Sequence, residues 1–476
     1  MKHAMHASHP FRLHLLALAA CACLASGCAV GPVYQRPAAA EPAHFKEAVP
    51  GWLPAAPADA LERGPWWTLF DDPVLNRLAA AVEVSNQNVA AAAASYEQAR
   101  ALVRGQRAGL FPSVDLSGGG TRSGGGGAAQ GAQNNYRAQI GASWEPDIWG
   151  RLRAGVGGAN ATAEASGADL AAARLSAQGE LAVNYFSLRQ NDAQQALLAT
   201  TIAGYQRVLE ITQNRFNAGI AAKSDVLQAE TQLANARIDE LALTRTRAQL
   251  EHAIAVLLGK APADFALAPA PWQVLVPALP PGLPSTLLQR RPDIAAAERR
   301  VAVANEQVGI ARAAYFPSLN LSASYGSGAS RVADLFKASS NLWSFGASAA
   351  YSLFNAGATT AAVDAARAAH AAAVARYRQT VLSAFADVED QLAAGAILLR
   401  QQALRLQASQ AADQVEAQML NRYRAGQVAY SEVVMVQATA LSARRALVQA
   451  QADRQTTAVA LIQALGGGWH APGAAL

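Results

Sequence analysis

Few side chains in this sequence are spaced for catalysis. Of its eight histidines, His3, His6, His9 and His14 crowd the first residues, and His44, His252, His370 and His470 stand far apart. No two have the spacing of a metal site. No Gly-x-Ser-x-Gly turn is present to expose a nucleophilic serine. Ala222-Lys223-Ser224 ends like a phosphate-binding loop, but Asn217 and Ala222 stand where that loop needs glycine, so the backbone cradle is missing. Glu389 and Asp390 are neighbouring carboxylates in a helical pattern and read as solvated or tunnel-facing rather than as an acid and base couple. This set points away from an enzyme and from any metal or cofactor held by side chains.

One thiol remains. Residues 1–27 carry Lys2 and Arg12, no acidic residue, and an apolar stretch from Leu13 to Leu24 that is too short to span a bilayer and suits a secretory signal. The stretch ends Leu24-Ala25-Ser26-Gly27-Cys28, similar to a bacterial lipobox. Cleavage there makes Cys28 the first residue, bearing a diacylglycerol on sulfur and an N-acyl chain. Ala29, where aspartate commonly retains lipoproteins in the inner membrane, reads as sorting to the outer membrane. Cys21 and Cys23 leave with the signal, so the mature chain has no second cysteine for a disulfide.

Composition sets the elements that surround this anchor. The 476 residues are 52% hydrophobic and 15% charged, which excludes a disordered chain and allows a large core. Alanine carries much of that share, as in Ala90 to Ala94, and favours long helices. The formal charge of +5 falls when Lys2 and Arg12 leave, and no basic patch suggests nucleic acid.

The sequence repeats itself. Asn214-Arg215-Phe216-Asn217-Ala218-Gly219 matches Asn421-Arg422-Tyr423-Arg424-Ala425-Gly426, and Ser224-Asp225-Val226 matches Ser431-Glu432-Val433 at the same offset. Phe111-Pro112-Ser113 likewise matches Phe316-Pro317-Ser318. Each half contains a strand period, Val114 and Leu116 then Tyr136 to Trp144, with a loop expected over Gly118 to Asn135. In the second half the strand residues are Leu319 to Tyr325 and Phe345 to Leu353, interrupted around Gly326 to Trp343. Four strands of about ten residues suit a tilted membrane strand, although such alternation also suits a soluble, half-buried sheet. A proline-free helical pattern follows each hairpin, over 151–218 and 358–425, long enough for about 100 Å of helix. Val374, Val381 and Val388 with Phe385, Leu392 and Leu399 make a heptad seam. Both long helices are expected to stop at Gly219 and Gly426 and to restart with Ser224 and Ser431 as caps. Prolines from Pro262 to Pro284 break the middle of the chain into a connector.

These features together resemble the TolC-type outer membrane factors, in particular the OprM/NodT-like lipoprotein branch. The matching pieces include Trp66-Trp67 with Phe70-Asp71-Asp72-Pro73, Trp144-Glu145-Pro146-Asp147-Ile148-Trp149-Gly150-Arg151, Arg290-Arg291-Pro292-Asp293-Ile294, Tyr351-Ser352-Leu353-Phe354 and Ala464-Leu465-Gly466-Gly467-Gly468-Trp469. The resemblance implies a mainly helical, duplicated fold: long coiled-coil helices form a periplasmic α-barrel, and four strands per chain enter a trimeric, twelve-stranded transmembrane β-barrel. It implies a homotrimer in outer-membrane lipid of a Gram-negative cell. A periplasmic membrane-fusion adaptor and an inner-membrane pump, RND-type by resemblance, supply cargo and energy to a passive duct.

The domain plan is a signal at 1–27, a lipid-anchored extension at 28–83, a first repeat at 84–259 (hairpin about 111–149), a connector at 260–292, a second repeat at 293–465 (hairpin about 316–354) and a tail at 466–476. The resemblance places adaptor docking at the helix tips, with Arg215, Gly219, Arg422 and Gly426. It places a periplasmic gate at Gln427, Ser431 and Met435, where the family usually has two apolar residues and an aspartate; none of the three fits, which implies a polar and weakly charge-selective gate. Two other readings share the pattern: the outer-membrane channel of a type I protein secretion system, and a lipid-anchored coiled-coil scaffold without a pore.

Overall fold

The computed structural model of the chain describes residues 30–39, 42, 44–47, 65–124, 132–277 and 291–467. The signal, Cys28, the connector over 278–290 and the tail from Gly468 lie outside the described residues. Those described run as a 3-10 turn at Trp66–Phe70, α1 (Pro73–Ser85), α2 (Gln87–Ala108), β1 (Ser113–Ser123), β2 (Gln133–Trp144), α3 (Arg151–Asn217), α4 (Lys223–Leu257), α5 (Pro292–Ala313), β3 (Ser318–Ala329), β4 (Asn341–Ala350), α6 (Ala358–Arg424) and α7 (Tyr430–Ala464). The long helices α3 and α6 are each 67 uninterrupted residues. The chain forms two compact units, and each draws on both halves of the sequence.

The first unit comprises Met1–Ala38, Ser95–Gly167 and Ala296–Arg378. Its centre is one antiparallel sheet in the order β1-β2-β3-β4. The register brings apolar residues into rows: Leu116 faces Ile140, Ile140 faces Tyr325, and Tyr325 faces Trp343. Val114, Ala142, Ala323 and Phe345 form the next row. Side chains alternate along a strand, so the intervening rows occupy the other face. There Ser113 meets Ser143 and Ser324 meets Ser344, each with hydroxyls 2.8 Å apart. The apolar face is uncovered within the chain: Leu116 is 80% exposed and Trp343 78%.

The strands reach further into the loops than the sequence pattern suggests. β1 continues through Gly118, Gly119 and Gly120 to Ser123, so the expected loop from Gly118 to Asn135 shrinks. Gly120 pairs with Tyr136, and a Cβ there would come within 2.9 Å of the tyrosine ring. The ring supplies the packing that glycine lacks. In the other hairpin, β4 ends at Ala350, so Tyr351 and Leu353 fall beyond the strand. Two 3-10 turns, Val332–Asp334 and Ala338–Ser340, fill the connection, and Ser327 donates to the carbonyls of Leu335 and Ser340.

The chain entering this unit is tied to its helices at every few residues. Val30 N–H donates to the Trp149 carbonyl at 3.3 Å, and Asn305 Nδ2 donates to the Pro32 carbonyl at 2.9 Å. Tyr34 donates its hydroxyl to Glu298, and burial together with that carboxylate holds its pKa far above the ordinary phenol value. Arg378 Nε donates to the Ala38 carbonyl at 3.1 Å.

The second unit comprises Ala39–Ala94, Ala168–Ala295 and Gln379–Leu476. Asp72 caps α1, accepting from Val74 N at 2.8 Å and Leu75 N at 3.1 Å, with Pro73 in the first helical position. Its other oxygen accepts the Tyr185 hydroxyl at 2.6 Å. Burial, then that bond, pushes the Tyr185 pKa up to about 12, so the phenol stays a donor. Trp66, Phe70 and Phe186 pack beside it as edge-to-face and tilted rings. Arg189, 4% exposed at its side chain, pairs with Asp192 at 3.0 Å, and Arg247 approaches the other Asp192 oxygen at 2.8 Å. Both arginines also donate to the connector, at the Ala268 and Leu267 carbonyls. Arg291 plays the corresponding part for α5, α6 and α7, meeting Asp293 at 2.7 Å, Asp387 at 3.0 Å and the Ala464 carbonyl. Glu389 accepts the N–H groups of Lys46 at 2.7 Å and Glu47 at 2.9 Å, so that carboxylate holds the N-terminal segment.

The heptad seam of α6 is buried at Val381, Phe385, Val388 and Leu392 and stops there. Leu399 is 56% exposed, against the sequence expectation, and Ile397 and Leu404 are exposed with it.

Helix α4 ends at Leu257, and Gly259 just after it has φ +65° and a Cβ position 2.3 Å from the Ser85 carbonyl oxygen. Gly219 has φ +74° with nothing within 4 Å. Gly219→Ala is expected to cost about 1 kcal/mol, the left-handed conformation alone, and Gly259→Ala about 3 kcal/mol from conformation and clash together. Urea unfolding of the helical circular dichroism signal checks the difference.

Candidate functional site

The tips are two copies of one helix-ending turn. In the first, Gly219 N–H returns to the Phe216 carbonyl and Ile220 N–H to the Arg215 carbonyl, at 2.9 and 2.8 Å. In the second, Gly426 N–H returns to Tyr423 and Gln427 N–H to Arg422, both at 2.9 Å. Gly219 and Gly426 have φ +74° and +77°, which glycine adopts without the penalty a Cβ brings. The next helices start at Lys223 and Tyr430 with Ala222 and Ala429 as caps and no side-chain cap bond. Ser224 and Ser431 therefore sit inside the first turn and do not cap, contrary to the sequence expectation. Asp225 and Glu432 occupy the first turns, and Arg215, Arg422 and Arg424 the last turns of the preceding helices, each on the side the helix dipole favours.

The structure brings Arg215 to the other tip rather than to solvent. Its guanidinium lies 4.9 Å from the centre of the Tyr423 ring, and Nη1 donates to the Tyr423 carbonyl at 2.8 Å. Tyr423 is 3% exposed, its hydroxyl is 3.1 Å from that of Thr212, and its ring lies 5.5 Å from Tyr430. Tyr430 donates to Gln232 at 3.3 Å, and burial holds its pKa far above the ordinary phenol value. Gln232 in turn donates to the buried Gln437. Val208, Ala229 and Val433 complete the core of this contact.

Arg422 takes no part in it and is exposed, as are Gly219 and Gly426. Of the three gate candidates, Ser431 and Met435 share one exposed face of α7 one turn apart, and Met435 is 69% exposed. Gln427 precedes the helix, in the turn, so the spacing of four does not align it with the other two as the sequence suggests. Tyr423, Tyr430 and Thr212 were not singled out by sequence reasoning. Their signal was the single place where the repeated motif changes ring chemistry, Phe216 against Tyr423.

Behind the tips, α4 and α7 leave a cleft of about 650 Å³. It is lined by matching positions of the two halves, Leu227 and Val434, Thr231 and Ala438, Asn235 and Ser442, and Arg445 pairs with Asp239 at 3.0 Å beside it. Among the described residues no group of three or more His, Cys, Asp or Glu side chains could hold a metal. The region offers shape, rings and paired charges.

Comparison with known proteins agrees with the duplicated plan. The sequence model described as "outer membrane efflux protein" matches twice, at residues 78–260 and 283–467. The probable efflux pump outer membrane protein TtgC of Pseudomonas putida is 33% identical over 469 residues, covering 96% of both chains. The solved outer-membrane channel OprN superposes with a TM-score of 0.86 at 29% identity, over 93% of this chain and all of that one. The open state of the MtrE outer membrane channel of Neisseria gonorrhoeae superposes with a TM-score of 0.82 at 28% identity, over 93% of this chain and 98% of that one.

Proposed function

The chain belongs to the outer membrane efflux protein family, and from that premise we propose that it is the outer-membrane exit duct of a tripartite efflux system. It is a passive channel and not an enzyme; it works as a trimer with a periplasmic adaptor and an inner-membrane pump. The observation that carries the reading is the sheet. One face is apolar and exposed, the other is polar, and β1 and β4 are open edges. Unpaired edge groups cannot face lipid, so strands with a lipid face of this kind require closure by other copies. Three copies give an even-numbered barrel wide enough for water. No helix among the described residues is long and apolar enough to cross a membrane. The uncovered Ile397, Leu399 and Leu404 of α6 find their partners in the same assembly. The mass of the detergent-extracted protein, corrected for bound detergent, tests this: a trimer is expected, and a monomer contradicts it.

The linear plan in this reading is a signal at 1–27, an extension at 28–83, repeats at 84–259 and 293–465 joined by 260–292, and a tail from 466; the two family matches, at 78–260 and 283–467, support the two repeats. Cys28 carries the lipid anchor in this reading. The support is Val30, fixed to Trp149 only two residues later, beside the end of β2. Intact mass is expected to show diacylglycerol and an N-acyl chain on the purified protein, and Cys28→Ser to lose that mass and remain in the precursor form. Equal masses for both, apart from the substitution, would remove the anchor.

The tips dock the adaptor. Gly219 and Gly426 set the turns, Arg422 offers an exposed charge, and Arg215 acts by holding the two tips together. Ser431 and Met435, with Gln427 in the turn before them, line a polar gate. TtgC is named as an efflux pump outer membrane protein, and its similarity along nearly the whole chain favours efflux over protein secretion.

A further inference from the structure

The apolar face of the sheet changes character toward its hairpin end. Ile140, Tyr325 and Trp343 form an apolar row, and the next pair between β3 and β4 on that face, Ser327 with Asn341, is polar. One level further Tyr136 pairs with Ala329, an aromatic position of the kind that marks a membrane surface. Beyond it the face turns basic. Arg122 lies opposite Asn134, and Arg331 stands two residues past Ala329 with its backbone still extended; both arginines are exposed. The connection between β3 and β4 is laid against this same face. Ser327 shares the face of Tyr325 by alternation, and its hydroxyl meets the carbonyls of Leu335 and Ser340, the latter at 3.0 Å. Ser340 in turn donates to the Asp334 carbonyl at 2.8 Å, and Leu335 is buried. Folded this way, the segment leaves Phe336 85% exposed, with Val332 exposed near it. Lys337 follows Phe336 and is paired with Asp334 at 2.5 Å.

We propose that this edge of the sheet binds the phosphorylated glycolipid of the outer leaflet, with Phe336 and Val332 among its acyl chains and Arg122, Arg331 and Lys337 at its phosphates. The collar sits on a closed barrel, so the inference rests on the duct reading. The long helices form a periplasmic tunnel, and α2, α3, α5 and α6 all join the sheet at the end opposite the hairpins. The hairpin end is therefore the outer rim, and the lipid beside it belongs to the outer leaflet. Charge decides the class of headgroup. Among the described residues this rim carries three cations against one carboxylate, Asp334, and the sequence between Ser123 and Gln133 adds no charge. A zwitterionic headgroup gains little from such a rim, whereas a doubly phosphorylated one gains from each cation. The apolar row below supplies continuity, since a chain packed on Tyr325 and Trp343 reaches Phe336 without leaving the sheet. Lipid held here keeps the connection on the outside of the barrel and the mouth of the lumen clear.

The test uses the full-length protein, delipidated in detergent, with native mass spectrometry counting bound lipid. Added bis-phosphorylated lipid A is expected to bind at about three copies per trimer, one for each repeated rim, and more tightly than phosphatidylglycerol or phosphatidylethanolamine. Arg122→Ala with Arg331→Ala is expected to weaken it about thirtyfold, about fivefold for each cation at an anionic surface, and Phe336→Ser about tenfold. All three side chains are exposed, so both variants are expected to keep the parent circular dichroism and native mass. Inorganic phosphate is expected not to compete, because it has no acyl chain for Phe336. A trimer that holds lipid A equally with and without the two arginines, holds phosphatidylglycerol as tightly, or releases lipid A to inorganic phosphate overturns the collar and leaves the duct reading intact. A native monomer overturns both.

Discussion

Asp192→Ala is expected to lower the stability of the protein by about 3–5 kcal/mol, the cost of leaving one partner of a buried ion pair without the other. Asp192 is 3% exposed at its side chain and receives two arginines, Arg189 and Arg247, on different oxygens. Burial works against the Arg189 charge, but the bonds and charges of Tyr185 and Asp192 outweigh it and raise its pKa. Without the carboxylate, two guanidinium groups share a site with little water. Both also hold connector carbonyls, at Ala268 and Leu267, so the connector is expected to loosen with the pair. Asp192→Asn keeps an acceptor at nearly the same shape and is expected to lose less. The urea unfolding midpoint of the helical signal measures all three proteins, and an Asp192→Ala loss under about 1 kcal/mol would place this pair with exposed ones.

Met435→Asp is expected to convert the duct into a cation-preferring channel. Met435 is exposed on the face of α7 that also carries Ser431. In a trimer the substitution places three carboxylates at one level, the arrangement by which charged rings select ions. A unit charge about 4 Å from a permeating ion in water contributes about 1 kcal/mol, favouring a cation and disfavouring an anion by about fivefold each, which is about thirtyfold in the ratio of cation to anion permeability. Bilayer reversal potentials in a salt gradient give that ratio directly. An unchanged ratio together with unchanged conductance would move the constriction away from Ser431 and Met435.

The two periods of the sequence made most of the architecture legible. Alternation at Tyr136, Ala138, Ile140, Ala142 and Trp144 marks β2, and the proline-free stretches after each hairpin mark α3 and α6 to within a residue or two. The errors fall where a tertiary contact overrides a local signal. Gly118 to Gly120 read as loop because glycine has weak strand propensity, but pairing with β2 and the Tyr136 ring keep them in β1. Ser224 and Ser431 read as caps because serine favours that position, yet the caps fall two residues earlier, on Ala222 and Ala429. Leu399 continues the heptad in the sequence yet is exposed, because burial depends on what packs against the helix and not on the repeat alone. For the tips, the repeated Arg-x-x-Ala-Gly located the turns. It could not show that Arg215 and Arg422 have different jobs, because that depends on how one hairpin lies against the other. Arg215 reads from the repeat as one of the docking-tip residues, and the structure adds that its guanidinium packs on Tyr423 within the chain.

The measurement closest to the central claim is planar-bilayer conductance of the detergent-extracted, lipid-bearing protein without adaptor. Small, rarely opening currents are expected from a closed duct. A protein that inserts as a trimer but passes no ions under any voltage would contradict a water-filled path and leave only a scaffold.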